Sequence, residues 1–406
     1  MDEGKGRRAI FVYMVIVALI GFGLGLSDHL FANYFRDAHH VDAFQRGLLE
    51  IPREMPGIIT MFILSTLAFW GDKRLSLLAH ALNAIGILAL ALLHPSFHVM
   101  IFFLFINSLG MHMFFPLYDS LGMSLASKGN YGKALGKFNA IRMGSSMLAG
   151  VLVFFGFRQG IFSFTTRIIV NFLIAGILFA AAFVLTIYLM RLTPDSHPKK
   201  SHFVFRKAYI KFYMLAALFG GRKQIMLVFG PWILIELLDF GAEYIALLMI
   251  TGFALSIFIL PLIGRWIDKY GAAQIMIIEV ALFFVIYLGY GVVSAGIYEG
   301  FMRGLPFVVA VTILINVLDR IIWNFGMARS IYMRSIAILP EDVTPTLATG
   351  MALDHMFSIL SAILCGWIWW AIGPQYVFLF SSILAVVQLL VALRVKKDQV
   401  IQYPAN

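Results

Sequence analysis

The segment Phe212-Tyr-Met-Leu-Ala-Ala-Leu-Phe-Gly-Gly-Arg222-Lys223-Gln224-Ile-Met-Leu-Val-Phe-Gly-Pro-Trp-Ile-Leu-Ile235 sets two adjacent cations between two apolar flanks. Read as a helix rising ~1.5 Å per residue, it places Arg222 roughly 15 Å in from Phe212. That is near the middle of a ~30 Å hydrocarbon core. Cations at that depth are expensive and persist only where they face protein, water or a ligand. Two readings follow: a satisfied structural ion pair, or the wall of a polar pathway. Adjacent helical residues project about 100° apart, so only one of the two is expected to face such a pathway directly.

Composition extends this reading to the whole chain. Of 406 residues, 61% are hydrophobic and only 13% charged, with a mean hydropathy of +0.89. A soluble domain has about 45–50% apolar and about 25% charged residues. The chain therefore reads as an all-α polytopic membrane protein embedded in the lipid bilayer. Its 38 Phe and 20 Met suit lipid-facing and adaptable packing surfaces. The single cysteine, Cys365, excludes an intramolecular disulfide and a Cys-based metal cluster. The net charge of +10 does not point to nucleic acid, because the basic residues fall mostly in loops, where membrane topology explains them. The N-terminal Lys5, Arg7 and Arg8 precede a long apolar run with no small-x-small cleavage site, which reads as a retained first span.

Twelve spans are expected, at about 9–35, 41–70, 75–93, 99–125, 137–157, 167–190, 208–238, 242–263, 272–293, 305–333, 347–372 and 375–395. The second carries Arg46, Glu50, Arg53 and Glu54, so hydropathy alone can miss it. With both termini in the cytoplasm, loop Lys and Arg divide 21 to 4 in favour of the cytoplasmic side, with Arg329 counted among the 21; Arg36, Arg158, Arg167 and Arg303 are the four opposite. The plasma membrane is the expected location. The one composition break is Arg191–Lys207, a basic connector between six spans and six. The expected organisation is an N-terminal six-helix bundle over residues 1–190, a cytoplasmic connector over 191–207, and a C-terminal six-helix bundle over 208–406. Sliding the halves by 196 residues lays Asp72-Lys73 on Asp268-Lys269, and Ser27-Asp28 on Lys223-Gln224.

The loop Gly264-Arg-Trp-Ile-Asp268-Lys269-Tyr-Gly271 resembles the Gly-x-x-x-Asp-(Arg/Lys)-x-Gly loop of the major facilitator superfamily. The first-half version, Ala68-Phe-Trp-Gly71-Asp72-Lys73-Arg74, has Ala68 in place of the leading glycine. The likeness covers the whole chain: twelve spans in two pseudo-symmetric six-helix bundles, a basic connector and the loop in both halves. It implies that Asp72, Lys73, Gly264, Asp268, Lys269 and Gly271 act in gating between access states; a tight turn with an Asp cap fits the same residues. It also implies that spans 1, 4, 7 and 10 line a central cavity. Pro116-Leu-Tyr-Asp119-Ser120, Tyr131-Gly132-Lys133 and Arg142-Met-Gly144-Ser145 look like the span 4–span 5 region of sugar and nucleoside proton symporters. The span 5 Gly-Pro pattern of drug antiporters is absent from 142–156.

The charges inside the spans are the candidate site. Arg46, Glu50, Arg53, Glu54 and Gly57 recur at three- and four-residue steps and form one helical stripe beside Pro52 and Pro56. It is either self-neutralising or functional. Glu54, with no evident partner within the stripe, is the better candidate for a proton carrier. Asp28 lies in span 1, Asp119 in span 4 and Arg142 in span 5. Span 7 offers Arg222, Lys223 and Gln224, span 10 offers Asp319, Arg320 and Asn324, and span 11 offers Asp354 beside His355. Glu279, in a span peripheral in the superfamily, reads as structural. His80 and His112 read as satisfied helix-contact residues. No His/carboxylate spacing supports a metal site, and no cofactor is expected.

These features predict a secondary active transporter of a small polar or anionic solute, working by alternating access with proton coupling, acting as a monomer and not as an enzyme. A transporter-like receptor that binds without transport is the alternative. An intramembrane enzyme has less support: no His-Glu-x-x-His, Gly-x-Ser-x-Gly or Gly-x-x-x-x-Gly-Lys-(Ser/Thr) pattern is present.

Overall fold

A computed structural model describes residues 3–125, 131–193, 205–339 and 342–395. Most of the connector, the loop cations Lys128, Lys199, Lys200, Lys396 and Lys397, and the side chains of Asp119, Tyr131, Lys133 and Asp268 lie outside the described residues. The α-helices are α1 Glu3–Ser27, α2 Phe31–His39, α3 Ala43–Leu48, α4 Glu50–Thr66, α5 Asp72–Leu93, α6 Phe97–Leu125, α7 Tyr131–Arg158, α8 Val170–Leu192, α9 Ile210–Trp232, α10 Ala242–Tyr270, α11 Ala272–Tyr298, α12 Pro306–Trp323, α13 Met327–Ile336, α14 Val343–Ile372 and α15 Pro374–Val395. Among the described residues, 11 helical runs are long and apolar enough to cross a membrane. The second expected span is not one of them. Its charged stripe depresses the hydropathy of an otherwise helical stretch, which is also interrupted at Leu49 between α3 and α4.

Three runs are locally irregular. A 3-10 turn at Asp28–Leu30 separates α1 from α2, and another at Asn324–Gly326 separates α12 from α13. Helix α9 ends in a π-helical turn, Ile233–Leu237, just after Pro231, which has no backbone N–H to give. Beside it the Gly230 carbonyl accepts the Tyr290 hydroxyl at 2.8 Å, and Asn316 donates to that same hydroxyl at 2.9 Å. Irregular backbone at membrane depth needs such partners.

The chain divides into two compact units. The first comprises residues 1–40, 59–200 and 241–250; within it α5 packs on α6 and α8, and α1 on α7 and α8. At one end Lys73, almost fully buried, donates to the Thr193 carbonyl at 2.7 Å, and Ser120 donates to Asp72. The second unit comprises 41–58, 201–240 and 251–406, so the charged beginning of the second span packs with the C-terminal helices. Here α9 lies against α14 and α15, α11 against α15 and α12, and α3 against α14. Gly220 permits the α9–α14 approach: a Cβ there would sit 2.3 Å from the Asp354 carbonyl oxygen. The start of this unit's first span is anchored by Asp342, which accepts from Tyr209 at 2.6 Å and pairs with Arg206 at 2.8 Å. The Tyr209 hydroxyl first, and then Arg206, hold the Asp342 carboxyl below the ordinary carboxylate range.

The backbone corrects the register of the sequence repeat. Gly71 immediately precedes α5 with φ 82° and ψ 155°; Gly271 immediately precedes α11 with φ 83° and ψ 154°. These glycines are the equivalent positions, which makes the offset at this loop 200 rather than 196. Asp72 then matches Ala272, and Asp268 matches Ala68, so the first-half loop lacks the motif's carboxylate. Side chains other than glycine are essentially excluded from that conformation, at a cost of about 1–3 kcal/mol. Replacing Gly271 by Val is expected to destabilise the purified protein by that order, read as a lower thermal unfolding midpoint. An unchanged midpoint would show that the turn is not held in this conformation.

Candidate functional site

Three consecutive residues of α9 organise the polar interior of the second unit. At 100° per residue, Arg222, Lys223 and Gln224 point in three directions, and each meets a different carboxylate.

Arg222 turns into the packed core and is fully buried. Its Nε donates to Gln388 Oε1 at 2.9 Å, one terminal nitrogen to the Tyr287 hydroxyl at 3.3 Å, and the other to Glu279 Oε1 at 3.4 Å. The Phe283 ring lies 3.6 Å from the guanidinium carbon. Glu279, also fully buried, is shared with Arg329 at 3.0 Å, and Tyr287 donates onward to Asp319 at 3.2 Å. Glu279, Phe283 and Tyr287 stand four residues apart on one face of α11 and build the pocket that encloses Arg222. Glu279, expected from its span to be structural, sits here between two guanidinium groups. Arg329, counted above among the cytoplasmic loop charges, instead lies in α13 with its side chain only 11% exposed.

Lys223 turns toward α14, where its Nζ lies 2.6 Å from Asp354 Oδ1; Ser358 donates to that oxygen at 3.3 Å. Both partners keep some exposure, 16% for Lys223 and 17% for Asp354. Gln224, fully buried, donates to Glu50. Glu50 also receives Arg46 and, at 2.8 Å, Arg53. One turn on, Glu54 meets His355 Nδ1 at 2.7 Å. A partner for Glu54 is thus supplied by α14.

These contacts close a ring. Glu50 holds Gln224; its neighbour Lys223 holds Asp354; its neighbour His355 holds Glu54; and Glu54 is one turn from Glu50. Three helical stretches, α3–α4, α9 and α14, are tied at one level. Alternating donors and acceptors satisfy groups that would be costly to leave unpaired at membrane depth.

Other expected site residues stand apart from the ring. Asp319 belongs to the Arg222 network through Tyr287. Arg320 lies over Gly252, and Asn324 donates to Ser256 Oγ at 3.0 Å and back to the Arg320 and Ile321 carbonyls at the α12–α13 break. In the first unit, Asp28 is half-buried and opens the 3-10 turn in the first span. Arg142 donates to Asn139 at 3.3 Å and lies over the Tyr118 and Phe115 rings. Of the loop residues, Lys269 is exposed with its Nζ 5.1 Å from the Tyr270 ring centre, and Gly264 lies within α10.

The family profile described as Major Facilitator Superfamily matches residues 13–353 of the chain. The chain belongs to the major facilitator superfamily. It is therefore a membrane transporter by family, carrying a small-molecule solute. Solved structures with the superfamily fold resemble it over nearly its full length. The nucleoside transporter NupG is 14% identical, with TM-score 0.73, over 96% of this chain and 100% of that one. An auto-inhibited POT family peptide transporter is 13% identical, with TM-score 0.76, over 98% and 99%. A bacterial homolog to the human lysosomal transporter Spinster, inward-facing and occupied, is 11% identical, with TM-score 0.73, over 100% of both chains. At such identity these likenesses speak to the fold. No curated protein sequence matches the chain.

Sequence reading of this superfamily member missed Arg329, Tyr287 and Gln388. The Glu279-x-x-x-Phe283-x-x-x-Tyr287 stripe was a usable signal, because an acid, a ring and a hydroxyl on one helix face make a fitting cage for a guanidinium. Replacing Glu279 by Gln would leave Arg222 and Arg329 without their shared counter-charge. Breaking such a buried pair costs about 3–5 kcal/mol. A large fall in the unfolding midpoint is expected; a loss of under about 1 kcal/mol in unfolding free energy would show that the network is not the support it resembles.

Proposed function

We propose that the ring of Glu50, Gln224, Lys223, Asp354, His355 and Glu54 is the solute- and proton-handling site of a secondary active transporter. The observation that carries this reading is the closed circuit itself. It sets four ionisable pairs at membrane depth, and the Lys223–Asp354 pair retains partial exposure at both ends. A ring used only as structural cement would gain from full enclosure, as Arg222 has.

In this reading the two functional repeats are residues 1–190 and 208–406, joined by the 191–207 connector. The ring is exposed to one side of the membrane and then the other as the repeats move. Glu54 is the proton carrier. Its carboxylate is held by His355 through a donated Nδ1–H, and a proton taken up by Glu54 releases that hold. Release of one member loosens its neighbours, because Asp354 and His355 are consecutive residues of α14. Coupling thus passes from the Glu54–His355 contact to the Lys223–Asp354 contact along a single helical turn. Asp319 and Asp28 are further carboxylates in spans that line the pathway in this family reading, and Asp72, Asp268 and Lys269 serve the gating loops.

The solute is polar; the similar structures include nucleoside and peptide transporters, whose named solutes are polar organic molecules. With Arg329 set aside in α13, the 20-to-4 loop charge asymmetry supports cytoplasmic termini in the plasma membrane; the working unit in this reading is a monomer.

Reconstituted protein with Glu54→Gln is expected to retain solute exchange between the two sides while losing accumulation driven by a pH gradient. Accumulation equal to that of the unaltered protein would remove Glu54 from the proton pathway. Binding without exchange in the unaltered protein would instead identify a receptor.

A further inference from the structure

We infer that the solute is a zwitterion, a small molecule carrying an ammonium and a carboxylate that replace each other's protein partners at Lys223 and Asp354. This rests on the reading of the ring as the solute site and narrows its substrate class.

The argument begins with the form of the exposed charge. Two of the buried ion pairs are closed: Arg46–Glu50 and Arg222–Glu279 have side-chain exposures of 3% or less at both ends. Lys223–Asp354 is open at both ends, at 16% and 17%, more than the Glu54–His355 pair at 11% and 12%. Arg53, 13% exposed, and Glu54, 11% exposed, belong to neighbouring pairs of the same cluster.

A ligand reaching this pair must compete with an ion pair already made. A simple anion that takes Lys223 leaves Asp354 with the Ser358 hydroxyl, a neutral donor, and with the charge of Arg329, which Glu279 already holds at 3.0 Å. A simple cation that takes Asp354 strands Lys223 in the same way. The penalty of leaving one charge of a desolvated pair unpaired exceeds what the new contact contributes. A molecule with both charges strands neither: its carboxylate goes to Lys223 and its ammonium to Asp354. With Arg46 and Arg53 included, the cluster balances three cations, Arg46, Arg53 and Lys223, against three carboxylates, Glu50, Glu54 and Asp354. A ligand of zero net charge leaves that balance unchanged. Selectivity then arises from the groups left unpaired by the wrong ligand, a stronger discriminator than size in a polar site.

The test is ligand-induced stabilisation of the purified full-length protein, with probes of matched skeleton: β-alanine against propionate and propylamine, and 5-aminovalerate against valerate and pentylamine. At least one zwitterion is expected to bind tenfold or more tightly than both of its singly charged counterparts. Asp354→Asn should shift the preference to the carboxylate probes, and Lys223→Gln to the amine probes. The exchanged pair Lys223→Asp with Asp354→Lys should keep the zwitterion preference, and it carries the test where a single variant is unstable. Equal binding of a singly charged probe, no response to either zwitterion, or a preference unmoved by Asp354→Asn overturns the inference. If uridine or glucose stabilises the protein in a way that depends on Lys223 and Asp354, the zwitterion class falls and the site stands. If ligand stabilisation ignores both substitutions, the ring falls as the solute site.

Discussion

A charge removed from water must find a partner, and this constraint shapes the second unit. Arg222, Lys223 and Gln224 sit at consecutive positions in an otherwise apolar helix, so helical geometry forbids them a common partner. Each demands its own acceptor, and the surrounding helices supply three: Glu279 on α11, Asp354 on α14 and Glu50 at the α3–α4 junction. The placement of helices around α9 is thus tied to the satisfaction of three side chains. The close α9–α14 approach at Gly220 then brings Lys223 and Asp354 within reach of one another.

The same constraint separates structure from chemistry. Arg222 is enclosed on every side by an amide, a phenol, a carboxylate and an aromatic face, which leaves little for a ligand to offer. One residue later, Lys223 is held by a single carboxylate and retains an open edge. Buried ion pairs are weak evidence for stability in themselves, since desolvation offsets the Coulombic gain. A pair that is neither fully buried nor fully solvated is better suited to exchange partners. The irregular turns at Asp28–Leu30, Ile233–Leu237 and Asn324–Gly326 fall in spans 1, 7 and 10, where backbone carbonyls freed from the helix are met by side chains such as Tyr290.

Much of the fold was legible in the sequence, because composition and span length report directly on the solvent the chain must inhabit. The loop at Gly264–Gly271 gave the family as well. The second span shows where hydropathy fails: Arg46, Glu50, Arg53 and Glu54 hide a helix whose charges are neutralised by contacts that a sequence window cannot see. The stripe was legible, yet its partners Gln224 and His355 lie 174 and 301 residues away. Arg329 was misplaced in a loop because a charge near a span end looks solvated until Glu279 is found beside it. The repeat register slipped by four residues because Asp72 and Asp268 look equivalent in sequence, whereas the positive-φ glycines at 71 and 271 are the structural match.

The central claim is that adjacent residues of one helix divide between holding the fold and handling the solute. Parallel measurement of thermal stability and solute exchange in Arg222→Gln and Lys223→Gln tests it most directly. Arg222→Gln should lower the unfolding midpoint sharply, and Lys223→Gln should abolish exchange while lowering the midpoint by clearly less than Arg222→Gln does. Sharp destabilisation by Lys223→Gln together with stable, exchange-deficient protein from Arg222→Gln would contradict the account.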